Sequence, residues 1–104
     1  MLYRYGSGPE TTDGLTADAA RAAAMPDKAS NGSNFPYGIS TMSKLSSKYA
    51  ASGEPFRTAT VQQLLDGGFT VTKTGNNASH YTVGLPNPIT DDTTDQLNSI
   101  FGEP

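Results

Sequence analysis

The chain contains no cysteine and only one histidine among its 104 residues. The absence of cysteine excludes disulfide bonds, a thiolate nucleophile and any zinc site that needs cysteine ligands. One histidine is also too few for a typical histidine-rich metal site. The sequence therefore predicts no metal cofactor.

Charge and long apolar runs are scarce as well. Charged residues make up 16% of the chain and the formal net charge is -3, so binding to double-stranded DNA is not expected. No apolar run approaches the ~20 residues that span a bilayer, and the opening stretch MLYRYGSG lacks the apolar region of a signal peptide. We expect a soluble protein without membrane contact. Its net charge allows a small nucleotide or another protein as the binding partner.

What the chain does contain is abundant Gly, Pro, Ser, Thr and Asn, which predicts short elements joined by ordered turns within one domain, residues 1–104. Apolar spacing predicts a strand and then three helices, followed by an antiparallel hairpin and a last helix. The strand covers residues 2–5, and the three helices cover 15–25, 39–50 and 60–66. The hairpin pairs 69–75 with 80–86, and the last helix covers 90–102. The predicted fold class is α+β, a small, mostly antiparallel sheet packed with short helices.

Each predicted helix has a start signal of the kind that satisfies free backbone N–H groups. These signals are Thr16, then Ser40 or Thr41, a Thr60–Gln63 capping box, and Thr90. The second helix is predicted from the helical spacing of Met42, Leu45 and Tyr49, and the third from an apolar face of Val61, Leu64 and Leu65. The loop between the first two helices, residues 26–38, has the length of a functional loop.

The only histidine, His80, begins the second strand of the predicted hairpin. The period of two puts His80 on a polar strand face and the apolar side chains on the other. Thr82 and Gly84 share the face of His80, as do Thr70, Thr72 and Thr74 of the first strand, whereas Phe69, Val71, Tyr81, Val83 and Leu85 are apolar and oppose them. The polar face is either plain solvent or the floor of a cleft, and a mid-strand glycine favours the cleft.

Several side chains could carry chemistry, and each has a simpler explanation. His80 could act as a general acid or base or anchor a ligand, or it could face solvent or tie down the hairpin loop. Arg4 could hold a phosphate or carboxylate with both guanidinium nitrogens, or form an internal salt bridge. Arg57 could bind a phosphate at the start of the third helix, or form a surface pair.

The segment FPYGIST combines an aromatic ring, a glycine and hydroxyl groups. Tyr37, Ser40 and Thr41 could stack on a planar ring and form hydrogen bonds to it. The simpler explanation is that Ser40 or Thr41 only caps a helix.

Three short motifs, in this order along the chain, resemble a known family. LYRY (2–5), YGIST (37–41) and SHYTVGLPNP (79–88) are similar to segments of ADP-ribosyltransferase-like toxin domains, which end polymorphic and type VI secretion toxins used between bacteria. The resemblance implies a trimmed version of that fold and an enzyme that uses NAD as its substrate. It also implies a cognate immunity protein, a target macromolecule, and delivery by a secretion system into the cytoplasm of a target cell.

The resemblance further implies roles for individual residues. Arg4 would contact the phosphates or ribose of NAD, Ser40 and Thr41 would shape the nicotinamide pocket, and Tyr37 would stack on the ring. His80 would lie at the cleft edge beside the scissile glycosidic bond. The expected catalytic residues are thus His80, Arg4 and Ser40, and the expected NAD-binding residues are Arg4, Tyr37, Ser40, Thr41 and Thr82. Most members of the family carry a catalytic glutamate on a late strand, whereas Glu10, Glu54 and Glu103 all lie outside the strand patterns.

Two other functions fit the sequence. In a metal-independent ribonuclease toxin, His80 would be the acid or base, Arg57 or Lys73 would stabilise the phosphorane, and Thr72 or Thr82 would position the 2′-hydroxyl. The acidic net charge counts against RNA binding. In a non-enzymatic adaptor or immunity-type binding module, His80 would have no chemical role.

Overall fold

The computed structural model describes residues 1–6 and 9–102, apart from the side chain of Tyr49. Its strands are β1 (Leu2–Tyr5), β2 (Gly38–Met42), β3 (Phe56–Ala59), β4 (Thr70–Lys73) and β5 (His80–Gly84). Its helices are α1 (Thr12–Ala24), α2 (Ser47–Ser52), α3 (Val61–Asp66) and α4 (Asp91–Ile100), with a 3-10 turn at Lys28–Ser30.

The five strands form one sheet in the order β3-β1-β2-β5-β4, and each neighbouring pair is antiparallel. The α+β fold class and the predicted hairpin of β4 with β5 are confirmed. Among the described residues, no helix combines the length and apolar character needed to cross a membrane.

The core joins the sheet to the helices. Its largest fully buried apolar side chains come from three strands and three helices: Leu2, Ile39, Val83, Leu15, Leu64 and Leu97. Complete burial of such a side chain contributes ~1.5–3 kcal/mol, so these contacts dominate the stability of the fold. On α3 only Leu64 takes part, because Val61 and Leu65 are 37% and 49% exposed. The predicted apolar face of α3 is therefore confirmed only at Leu64.

Two of the four predicted helix starts are confirmed and two are wrong, Thr16 and the Ser40 or Thr41 start discussed below. The Thr60–Gln63 capping box and the Thr90 cap are both present. The first helix begins at Thr12, four residues before the predicted cap, because the Thr11 hydroxyl accepts the Gly14 backbone N–H at 3.1 Å. Thr16 instead lies inside α1.

The predicted helix at 39–50 is wrong over its first half, which forms β2. Residues 38–42 pair with β5 from Gly38–Gly84 to Met42–His80, which satisfies the backbone of β2 without a helix. Ile39 and Thr41 are buried, as expected for β-branched side chains on an inner sheet face. Ser40 and Thr41 consequently cap nothing. Helix α2 begins only at Ser47, and the Tyr49 side chain lies outside the described residues.

Strand β3 was not predicted. It pairs with β1 over four residues, and Arg57 lies directly opposite Arg4. Arg57 is therefore a buried strand residue whose guanidinium pairs inside the protein, so it is neither an exposed phosphate ligand nor a surface pair, the two alternatives given above.

Candidate functional site

The sheet order brings the three motif-bearing strands together. β1, β2 and β5 are neighbours, so residues 2–5, 38–42 and 80–84 lie side by side although they are far apart in the chain. Ser40 is directly opposite Thr82, and Met42 is directly opposite His80. Directly opposed residues share a sheet face, and so do residues two apart on one strand, as Thr82 and His80 are on β5. Ser40 and His80 therefore point to the same side of the sheet.

A cavity of about 430 Å³ opens where these strands meet. Four of the predicted site residues line it: Arg4, Ser40, Thr41 and His80. The rest of its wall comes from Tyr5, Met42, Ser46 and Asn77. We call this cavity the polar lobe.

A chain of hydrogen bonds holds His80 in place at the edge of this lobe. Its Nε2 lies 2.9 Å from the Ser40 hydroxyl oxygen, and its Nδ1 lies 2.8 Å from the Thr74 hydroxyl oxygen. The Thr74 hydroxyl in turn lies 2.8 Å from that of Thr82. Thr74 and Thr82 are each 3% exposed, whereas Ser40 is exposed, so the chain runs from the interior to the cavity.

A second, smaller cavity adjoins the first. It measures about 120 Å³, and its walls are Ala22 of α1, Met25 directly after that helix, Phe35 and Gly38, together with Ser40, His80 and Thr82. The Phe35 and His80 rings meet edge to face with centroids 6.1 Å apart. We call this cavity the apolar lobe, and the two lobes together the two-lobed cleft. Ser40 and His80 line both lobes and thus mark the junction.

Arg4 is already paired within the protein. One guanidinium nitrogen, Nη2, lies 3.0 Å from carboxylate oxygens of both Glu10 and Asp18, and Nη1 donates to the Ser40 carbonyl at 3.1 Å. The contact with the Ser40 carbonyl ties β1 to the strand that carries the exposed hydroxyl. That Arg4 contacts NAD stays a prediction, since two carboxylates already balance its charge.

Glu10 is the centre of this ion cluster. Its second carboxylate oxygen accepts a hydrogen bond from Arg57, whose guanidinium also contacts Asn98. Burial on its own raises the pKa of Glu10, but the hydrogen bonds and positive charges of Arg4 and Arg57 outweigh it and leave the pKa below its ordinary value. Glu10 is therefore ionised and fully engaged in holding two arginines.

Of the remaining candidates, Thr82 lines the apolar lobe, whereas Tyr37 and Lys73 line neither lobe. Tyr37 lines a separate cavity of about 570 Å³ with Phe69 and Leu85, so the structure does not bring it to the two-lobed cleft. Thr82 lies behind His80 as the buried end of the hydrogen-bond chain. Lys73, a candidate of the ribonuclease alternative, is directly opposite Tyr81 and donates to the Gly75 carbonyl, on the sheet face away from His80.

None of the glutamates within residues 1–6 and 9–102 lines the two-lobed cleft. Glu10 is held by the arginines, and Glu54 is exposed in the turn before β3. Glu103 lies outside the described residues. The described part of the cleft thus departs from the resembled family, in which a late strand carries a catalytic glutamate.

The sequence analysis gave no role to Thr74, which holds His80 from behind the cleft, or to Phe35, which lines the apolar lobe. Thr74 was placed on the face of His80 by the alternation of β4, which is a signal that the two could touch, yet it was given no role. Phe35 lies in the irregular loop 26–37, where no periodicity predicts which side chain folds inward.

No family model, curated protein or solved structure matches this chain. The resemblance of the three motifs to toxin domains therefore stays a prediction. Within the described residues, no group of three or more His, Asp or Glu side chains is arranged to hold a metal ion.

Proposed function

We propose that this chain is an NAD-utilising toxin domain, of the ADP-ribosyltransferase or NAD glycohydrolase type, with the two-lobed cleft as its substrate site. One observation carries the proposal. Polar residues from three separate motifs lie on adjacent strands, and two of them, Ser40 and His80, are hydrogen-bonded at the junction of an apolar lobe and a polar lobe.

The size and lining of the lobes support a ligand with a flat ring at one end and a polar body at the other. The apolar lobe, at about 120 Å³, offers Phe35, Met25 and Ala22 as walls. A closed apolar cavity of about 150 Å³ admits a benzene molecule; this lobe is smaller but adjoins the polar lobe, so it would take part of a flat ring with the ring's substituents at the junction. The polar lobe is more than three times larger and suits a ribose with its phosphates.

In this arrangement the bond between ring and ribose passes the junction of the lobes. His80 and Ser40 would then lie beside the bond that breaks as nicotinamide leaves and an oxocarbenium-like ribose forms. Hydroxyl and carbonyl dipoles fixed by the sheet would hold the ribose in place for attack by water or by an acceptor side chain of a target. The chemistry is hydrolysis or transfer, according to which nucleophile reaches the ribose.

Isothermal titration of the purified protein with NAD tests the proposal. We expect saturable binding that His80→Ala weakens by about tenfold or more, which corresponds to ~1.4 kcal/mol or more. Asp95→Asn, on the exposed side of α4, is the matched control and should bind as the wild type does. Circular dichroism of both variants establishes that they are folded.

Product analysis then separates the two reaction types. Release of nicotinamide with free ADP-ribose indicates a glycohydrolase, whereas an ADP-ribosyl group on a macromolecule indicates a transferase. Absence of saturable binding at millimolar NAD refutes the proposal, and cleavage of RNA that is sensitive to His80→Ala would replace it with the ribonuclease alternative.

The proposal also includes a target in the cytoplasm of a recipient cell, delivery by a secretion system, and a cognate immunity protein. Expression in the cytoplasm of a test bacterium should therefore inhibit growth, and a folded His80→Ala variant should not. Equal growth inhibition by both proteins would instead support the non-enzymatic binding module.

A further inference from the structure

The buried end of the hydrogen-bond chain restricts where its protons lie. The Thr82 hydroxyl is enclosed, and within the described residues its side chain has one hydrogen-bond partner, the Thr74 hydroxyl. A hydroxyl has one proton to donate, and leaving that proton without an acceptor in a buried position is costly.

Only one proton order along the chain avoids this cost. If Thr82 donates to Thr74, the Thr74 proton goes to His80 Nδ1, and His80 carries its own proton on Nε2 and donates it to the Ser40 oxygen. In the reverse order, Nδ1 is protonated and donates to Thr74, Thr74 donates to Thr82, and the Thr82 proton has no acceptor.

We propose that Thr82 and Thr74 are positioning residues that fix neutral His80 as the Nε2–H tautomer. Ser40 then accepts from His80, and its own hydroxyl proton points into the cleft. Ser40 is consequently a hydrogen-bond donor to the ligand. It is not a nucleophile in this state, because the His80 nitrogen beside it already carries a proton.

This assignment selects a chemical group on the ligand. Ser40 at the junction of the lobes requires an acceptor there, and the carboxamide oxygen of a nicotinamide ring in the apolar lobe is such a group. This second step rests on the proposed function, whereas the tautomer does not.

The tautomer can be measured directly because the chain has one histidine. Nitrogen-15 NMR of the imidazole, at a pH where the ring is neutral, distinguishes a protonated from an unprotonated ring nitrogen without assignment ambiguity. We expect Nε2–H to exceed Nδ1–H by about tenfold or more in the wild type. A predominance of Nδ1–H overturns the proposal, whether or not NAD binds.

Variants test whether the threonines cause the preference. Thr74→Val removes the donor to Nδ1, so the share of Nδ1–H should rise, whereas Thr74→Ser keeps the hydroxyl and should keep the wild-type ratio. An unchanged ratio in a folded Thr74→Val protein contradicts the positioning role. If Thr74→Val does not fold, the wild-type and Thr74→Ser spectra decide.

The ligand step has its own test, a comparison of nicotinamide with pyridine, which lacks the carboxamide. Ser40→Ala should weaken nicotinamide binding by about threefold to tenfold and leave pyridine binding unchanged. Equal effects on both, or no binding of nicotinamide to the wild type, would remove the carboxamide assignment and leave the measured tautomer as it stands.

Discussion

Replacing Glu10 with glutamine should destabilise the fold more than any other single change of a polar side chain described above. The Glu10 carboxylate bridges Arg4 and Arg57, and the three side chains are only 12%, 14% and 10% exposed. The Nε atoms of both arginines are buried and have no hydrogen-bond partner among the described residues. Removal of the shared carboxylate charge therefore leaves two buried cations with few remaining partners.

The size of the effect follows from those contacts. Removing one partner of a buried ion pair typically costs ~3–5 kcal/mol, because the other charge is left uncompensated. Here Asp18 still contacts Arg4, and the glutamine oxygen still accepts one hydrogen bond, so we expect a loss near the lower end, ~3 kcal/mol. For a domain of this size that loss lowers the melting temperature by about 12 °C or more.

Urea and thermal unfolding followed by circular dichroism measure this loss. Asp18→Asn is the matched control, because its carboxylate is 36% exposed and shares Arg4 with Glu10, and it should cost less than ~1 kcal/mol. A Glu10→Gln variant within ~1 kcal/mol of the wild type would show that solvent already screens the cluster and that the arginines do not depend on Glu10.

Three further predictions concern the same fold. The pKa of Glu10 is lower in the folded protein than its ordinary value of 4.5. The ionised Glu10 side chain therefore contributes its full stabilisation above pH 4.5, and this is lost as the pH falls through the folded pKa. In acid, the free energies of unfolding of the wild type and Glu10→Gln should therefore become more similar. Gly38→Ala should cost ~1–3 kcal/mol in urea unfolding, because a Cβ there would overlap the Val83 carbonyl oxygen, whereas Gly102→Ala, with open space around it, should cost less than ~0.5 kcal/mol. Leu64→Ala should cost ~2–5 kcal/mol and Leu65→Ala less than ~1 kcal/mol, and equal losses would contradict the burial that separates them.

Local signals in the sequence were reliable where the structure is also local. The Thr60–Gln63 box and the Thr90 cap are formed by atoms a few residues apart, so sequence spacing contains the needed information. The hairpin of β4 and β5 is similarly local, and its alternation correctly separated the polar face from the apolar one.

The prediction of a helix at 39–50 was wrong because strand pairing between segments far apart in the chain decides the structure there. Met42, Leu45 and Tyr49 have helical spacing, but the pairing of β2 with β5, some 40 residues away, outweighs that local preference. The clustering of Arg4, Ser40, Thr41 and His80 was expected only through the resemblance, since their closeness depends on the order β1-β2-β5. Nothing in the spacing of the loop 26–37 indicates that Phe35, and not Tyr37, reaches the cleft.

The contact between Glu10 and Asn98 also determines when, during synthesis on the ribosome, the cleft can form. The Asn98 side chain accepts the Glu10 backbone N–H at 2.8 Å and donates to the Glu10 carbonyl at 3.0 Å, a clamp across 88 residues. Before the ribosome has added α4, the nascent chain lacks this clamp, so the backbone of Glu10 is not held in the position from which its carboxylate pairs with Arg4 and Arg57. The cleft wall that depends on Arg4 is therefore completed only after residue 98 has left the ribosome, so a chain released before that point would not assemble it.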